Sequence, residues 1–273
     1  VLGITQGVTE FAPVSSSGHL ILVPWLFGWP ILNNPSVNKT FDVALHLGTL
    51  VGALVYFRKD VVRYLVAWIG SIRSRSISSA DERVAWALVI GTIPGAIAGA
   101  AFESLIEDTL GAPWLIAVML AVFGVILYVV DKRALSGKSV EDLSVLGGLG
   151  LGIAQAIALQ PGVSRSGVTI TAGRLYGLER AAAARVSFLL SLPIIAGAGL
   201  LKSVDLLRNG FPPGMVGPFL WGTAAAAVSG FLVIAFLLAF LRRKDFLVFL
   251  VYRIAAAALV LGIIFVGVRS ATA

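Results

Sequence analysis

Gln6-Gly-Val-Thr-Glu10-Phe-Ala-Pro13-Val-Ser15-Ser16-Ser17-Gly18-His19 is the run from which the fold can be read. It gathers a carboxylate, three successive hydroxyls and one of the chain's two histidines within a few turns. The apolar runs beside it, 1–8 and 20–27, are each shorter than the ~20 residues a helix needs to cross a bilayer. The expected form is two half-helices meeting at a polar turn, a re-entrant hairpin buried in protein. Pro13 and Gly18 bracket that turn, and Ser15 to Ser17 can cap the second half-helix. Polar groups in such surroundings are costly unless paired, so the cluster marks a functional site.

The rest of the chain supplies the apolar setting. Of 273 residues 58% are hydrophobic and 13% charged, about half the charge of a soluble domain at roughly 25%. Mean hydropathy is +0.95, which points to a membrane protein. Having no cysteine, the chain has no disulfide framework, thiolate metal site or cysteine nucleophile. A net charge of +7 would suit nucleic acid, but the basic residues lie in short loops between apolar runs. They read as a topology signal with an affinity for anionic lipid, and no nucleic-acid partner is expected. The N-terminus lacks a basic n-region, so no cleavable signal peptide is expected there.

Full-length spans are expected at about 41–57, 84–102, 113–130, 182–201, 219–241 and 246–268, with Pro94 kinking the second. Part of the basic loop after the first span, 61–72, is apolar enough for an interfacial helix. Glu103, Glu107 and Asp108 make an acidic turn between spans two and three. Loops after spans one, three and five are the basic ones and are expected in the cytoplasm. That alternation holds for six spans only if neither hairpin crosses the bilayer.

A second polar island, Pro161-Gly-Val-Ser-Arg165-Ser-Gly-Val-Thr169-Ile-Thr, follows the half-helix 145–159. Shifting the chain by 149 positions lays 3–28 on 152–177 without a gap and matches ten of 26 positions. Chance would match roughly two or three at this composition. Gln6/Gln155, Ser15/Ser164, Ser17/Ser166 and Gly18/Gly167 are among the matches. The expected architecture is an all-α polytopic membrane protein forming a single domain. It has six transmembrane helices and two re-entrant hairpins in an inverted-topology repeat. The repeats cover about 1–131, with hairpin 1–28, and 145–268, with hairpin 145–177. Three spans follow each hairpin, and an odd number of crossings turns the second copy upside down, with the two tips meeting near the midplane.

The islands differ where the chemistry lies, because Ser16 aligns with Arg165 and His19 with Val168. A guanidinium offers a planar fork to phosphate or carboxylate oxygens. Ser164, Ser166 and Thr169 can add hydroxyl donors, and the start of the following half-helix adds backbone N–H groups. Glu10 beside Ser15, Ser16 and His19 provides a nucleophile with bases in reach. Gln6 lies one turn from Glu10 on the same helix face, and the pair could hold hydrated Mg²⁺ or Ca²⁺. Plainer alternatives are an Arg165–Glu10 ion pair serving assembly and a capping or packing His19. His46 reads as a packing residue or one lying behind the site, with Asp42 one turn away.

Taken together, Gln6-Gly-Val-Thr-Glu10, Pro13-Val-Ser-Ser-Ser-Gly-His19 and Pro161-Gly-Val-Ser-Arg-Ser-Gly-Val-Thr169 resemble the bacterial undecaprenyl-diphosphatase family, integral-membrane proteins linked to bacitracin resistance. All three motifs are matched, and the resemblance covers essentially the whole chain. It implies hydrolysis of undecaprenyl diphosphate to undecaprenyl phosphate and inorganic phosphate, recycling the lipid carrier of cell-wall synthesis. It further implies a polyprenyl diphosphate substrate among membrane lipids, a divalent cation, Mg or Ca, and a site facing the outer side of the bacterial cytoplasmic membrane. Carried over, Glu10, Ser16, His19 and Arg165 are the catalytic set. Gln6, Ser15, Ser17, Ser164, Ser166 and Thr169 would support phosphate, and Glu10 with Gln6 would hold metal. Ser16, His19 and a water activated by Glu10 remain open as nucleophile. The competing class is an inverted-repeat transporter or flippase for a polyprenyl phosphate. A homodimer is compatible with either.

Overall fold

A computed structural model describes residues 1–29, 35–209 and 214–272. The described residues form eleven α-helices and no strand. They are α1 (Leu2–Phe11), α2 (Ser16–Phe27), α3 (Pro35–Tyr56), α4 (Arg58–Ser74), α5 (Ala80–Thr109) and α6 (Pro113–Arg133), then α7 (Val145–Ile157), α8 (Arg165–Tyr176), α9 (Arg180–Asn209), α10 (Val216–Phe240) and α11 (Leu247–Phe265). Five stretches, within α5, α6, α9, α10 and α11, are long and apolar enough to cross a membrane. A sixth candidate is the α3–α4 pair, bent by 82°. The molecule is thus a multi-pass, all-helical membrane protein.

Local chemistry explains the helix ends. Ser79 accepts from Glu82 N while Glu82 accepts from Ser79 N, a reciprocal cap that starts α5. Pro113 opens α6, where its missing N–H costs nothing. Pro94 lies inside α5, and a further break falls at Phe102, whose backbone leaves helical values (φ −118°, ψ 15°). One expectation is corrected. The acidic stretch 103–108 is helical, since α5 runs on to Thr109. The loop prolines Pro212 and Pro213 fall outside the described residues.

The two short-helix pairs seat on each other's halves of the chain. α1 packs on α10, and α7 packs on α5. Both contacts need glycine at the same repeat position. A Cβ at Gly3 would lie 2.4 Å from the Gly222 carbonyl oxygen, and one at Gly152 only 2.2 Å from that of Gly91. Backbone atoms cannot move aside as a flexible side chain can, so only small residues permit this approach. Phe11, Phe57, Phe188 and Phe246 fill the main apolar core. Near the α6 and α8 C-termini, buried Asp131 accepts from Arg174 Nε and Arg180 Nε, each at 2.9 Å. Arg185 Nη2 donates to both oxygens of Asp60, at 2.7 and 2.8 Å.

Candidate active site

The two polar turns meet. Ser15 caps α2 by accepting from Gly18 N, and Ser164 caps α8 by accepting from Gly167 N. Both caps have left-handed φ, 75° and 77°, with ψ 96° and 111°. Such values cost a non-glycine residue of order 1–3 kcal/mol and persist only where surrounding contacts impose them. Those contacts run between the turns. Ser15 Oγ accepts from Gly162 N at 2.9 Å, and Ser166 Oγ donates to the Ala12 carbonyl at 3.1 Å.

Glu10 is the centre of the cluster. Gln6 Nε2 donates to its Oε2 at 2.9 Å from one turn earlier on α1, and Ser16 Oγ donates to the same oxygen at 2.5 Å. Arg165 Nη2 donates to Oε1 at 2.7 Å. Ser16 and Arg165, which occupy equivalent repeat positions, each begin a half-helix and converge on one carboxylate. His46 Nε2 stands 3.6 Å from Oε2. Side-chain exposure falls from 33% at His46 through 16% at Arg165 to 4% at Glu10, so the cluster opens past His46.

Three buried polar atoms here lack a hydrogen-bond partner: Arg165 Nη1, Gln6 Oε1 and Asp42 Oδ1. An unpaired buried donor costs about 1–3 kcal/mol. Arg165 therefore holds one N–H set on Glu10 and leaves the other ready for an incoming anion. Gln6 Oε1 is a free oxygen donor beside the carboxylate, the kind of ligand that a hard cation such as Mg²⁺ or Ca²⁺ takes. Among the described residues no three His, Asp or Glu side chains form a self-sufficient metal cage.

The other expected residues are held apart from Glu10. His19 is buried, with Nδ1 bonded to the Ser15 carbonyl at 2.7 Å and Nε2 to Tyr252 Oη at 2.6 Å. Thr169 Oγ1 bonds the Arg165 carbonyl at 2.7 Å and Ser187 Oγ at 2.6 Å. Ser164 Oγ lies 3.2 Å from Ser166 Oγ. Ser17 is exposed and lies 3.4 Å from Ser15 Oγ.

Two residues escaped the sequence reading. Tyr252 anchors His19. Its neighbour Arg253 is fully buried and donates to Pro13, Gly162 and Val163 carbonyls at 3.0, 2.8 and 3.1 Å, tying both turns together. It also reaches Leu120 and Met119 carbonyls on α6, at 2.7 and 3.3 Å. An arginine alone in an apolar span was the available signal.

A family model described as bacitracin resistance protein BacA matches residues 1–259. An undecaprenyl-diphosphatase of Moorella thermoacetica is 46% identical over 263 residues, covering 96% of this chain and 95% of that one. One from Desulforudis audaxviator is 47% identical over 255 residues, covering 93% and 92%. One from Geobacter sulfurreducens is 46% identical over 266 residues, covering 97% of each. With a match over nearly its whole length, the chain belongs to the BacA family of bacitracin resistance proteins.

Proposed function

We propose that this protein hydrolyses undecaprenyl diphosphate to undecaprenyl phosphate and inorganic phosphate. The observation that carries the reading is the Glu10 carboxylate shared between the Ser16 hydroxyl and a guanidinium whose second nitrogen is unpaired. A hydroxyl bonded to a buried carboxylate is a nucleophile with its base in place. The spare Arg165 nitrogen supplies an anion-binding donor at the same spot.

In this mechanism the terminal phosphate approaches past His46 and takes Arg165 Nη1. Ser16 Oγ attacks the terminal phosphorus while Glu10 Oε2 accepts its proton. The bond from that phosphorus to the bridging oxygen breaks, and undecaprenyl phosphate leaves as an anion needing no proton. Glu10 passes that proton to solvent and then takes one from the water that attacks the phosphoserine; as the phosphorus–Oγ bond breaks, Glu10 returns the proton to Ser16 Oγ and inorganic phosphate leaves. Positioning and charge neutralisation do most of the catalysis in such transfers. Glu10 and Gln6 Oε1 are the atoms that would hold a Mg²⁺ or Ca²⁺ ion, which supplies further neutralisation of the diphosphate when bound. His19, with both ring nitrogens engaged, positions the first turn through the Ser15 carbonyl.

The same reading takes α1–α2 and α7–α8 as re-entrant hairpins from opposite leaflets, related by an inverted repeat. The matching cap geometry at Ser15 and Ser164 and the exchange of packing partners support it. α3 is then the sixth crossing, and α4 lies along the interface after the 82° bend. The basic segments after α3, α6 and α10 face the cytoplasm of the bacterial inner membrane, and the site opens outward. A pure carrier has no use for the Ser16–Glu10 pair, and hydrolysis is the better reading.

The test is phosphate release from undecaprenyl diphosphate by the purified chain in detergent with Mg²⁺ or Ca²⁺, together with trapping of label from the terminal phosphate. Phosphate release with label on Ser16 is expected. No release overturns the hydrolytic reading. Release with label on His19, or with none trapped, overturns the role given to Ser16.

A further inference from the structure

Away from Glu10, a cavity of about 550 Å³ lies between the C-terminal turns of α6 and α8 and the segment that follows α6. It sits at the far end of α8 from Arg165. Its lining combines Val129, Val130, Leu135 and Leu175 with two cations, Arg133 and Lys138.

The walls are fixed by backbone. Lys138 N donates to the Gly177 carbonyl at 3.1 Å, and Glu179 N donates to the Lys138 carbonyl at 2.9 Å. Lys138 Nζ donates to the Tyr176 carbonyl at 3.0 Å and stands 4.0 Å from the centre of the Tyr176 ring. An ammonium has three N–H donors, so with one on the Tyr176 carbonyl and one toward the ring this anchored lysine keeps one for a ligand. The Arg133 side chain has no hydrogen-bond or ion-pair partner among the described residues. Of the carboxylates around the cavity, Asp245 pairs with Lys132, Asp131 with Arg174 and Arg180, and Asp142 accepts from Ser139, while exposed Glu179 follows the Gly177 turn. Leu135 and Leu175 are 89% and 70% exposed, leaving bare apolar surface beside two cations.

That juxtaposition matches the boundary of a lipid, where a phosphate joins the start of an acyl chain. We propose that the cavity binds one anionic phospholipid, its phosphate between Arg133 and Lys138 and its upper chain against Val129, Val130 and Leu175. Basic pockets between membrane helices serve this purpose on the cytoplasmic side, where anionic lipids collect. The proposal is independent of the hydrolytic reading, because none of these residues touches the Glu10 cluster.

The test titrates the full chain in detergent with phosphatidylglycerol and counts bound lipid by native mass spectrometry. Phosphatidylcholine, glycerol phosphate and inorganic phosphate serve as comparison ligands. A basic residue near an anionic surface is worth about fivefold in affinity. Arg133→Gln should therefore weaken phosphatidylglycerol binding about fivefold, and Arg133→Gln/Lys138→Gln about 25-fold. The remote pair Arg73→Gln/Arg75→Gln removes the same charge and should leave binding intact. The single variant keeps the Lys138 contacts and guards against a folding defect. Equal loss in the remote pair, no loss in either Arg133 variant, or equal binding of phosphatidylcholine overturns the proposal. Inorganic phosphate or glycerol phosphate binding as tightly as the lipid also overturns it, leaving a free-anion site instead.

Discussion

Replacing Arg253 by methionine keeps the bulk of an unbranched chain and removes every donor. Of its five carbonyl partners, Leu120 and Met119 belong to α6, where the helix ladder can use them. Pro13, Gly162 and Val163 lie in the two turns and, among the described residues, have no other donor. A stranded buried carbonyl costs about 1–3 kcal/mol, so the three together come to about 3–9 kcal/mol. That is a large part of the about 5–15 kcal/mol that holds a typical domain folded. At about 2–4 °C per kcal/mol for a chain of this size, even the lower end lowers the unfolding midpoint by about 6–12 °C. The assay is thermal unfolding in detergent alongside phosphate release. Because the turns carry Ser16 and Arg165, kcat/KM should fall by about 100-fold, the effect of roughly 1 Å of misplacement. Arg253→Lys, which can reach one or two carbonyls, should recover part of both losses. An Arg253→Met protein that melts within about 2 °C of the parent and turns over at the parent rate would show that the turns do not depend on this clamp.

Ser16→Ala and Glu10→Gln should each lower kcat by about 10³-fold or more, and the double variant should be little worse than either, since the two groups act as a unit; steady-state phosphate release on the three proteins decides it, and multiplying losses would refute it. Gln155 is buried with both amide atoms unpaired, so Gln155→Met should raise the unfolding midpoint by an amount equivalent to about 1–3 kcal/mol; a lower midpoint would reveal a partner for that amide. Asp131→Asn removes the charge that faces both Arg174 and Arg180 and should destabilise by about 3–5 kcal/mol, read by thermal unfolding; an unchanged midpoint would mean that these arginines find other acceptors.

Much of the site was legible because polar side chains in an apolar chain have few reasons to be there. Gln6, Glu10, Ser16 and Arg165 stood out as residues and meet in space. The hydroxyls around them were harder to read. A serine in a turn can cap a helix, bridge to another turn or face a ligand, and residue type does not distinguish these. Ser15, Ser164 and Ser166 cap and bridge here, with most of their bonds to backbone. Arg253 was missed because its partners are carbonyl groups, which every residue has and no sequence pattern displays. His46 looked like packing on α3 because its nearness to Glu10 depends on how α1 and α3 lie against each other. The break at Phe102 had no sequence signal, since no proline or glycine stands at that position.

The crossed seating of α1 on α10 and α7 on α5 has a consequence for biogenesis. α1 is made long before α10, the helix that covers its glycine face. Until α10 is inserted, α1 has only α2 and α3 beside it, and its glycine face must wait in lipid or against an insertase. α7, by contrast, finds α5 already in place. Synthesis arrested before α10 should therefore leave the α1 face exposed to membrane proteases, while the α7 face is already covered by α5.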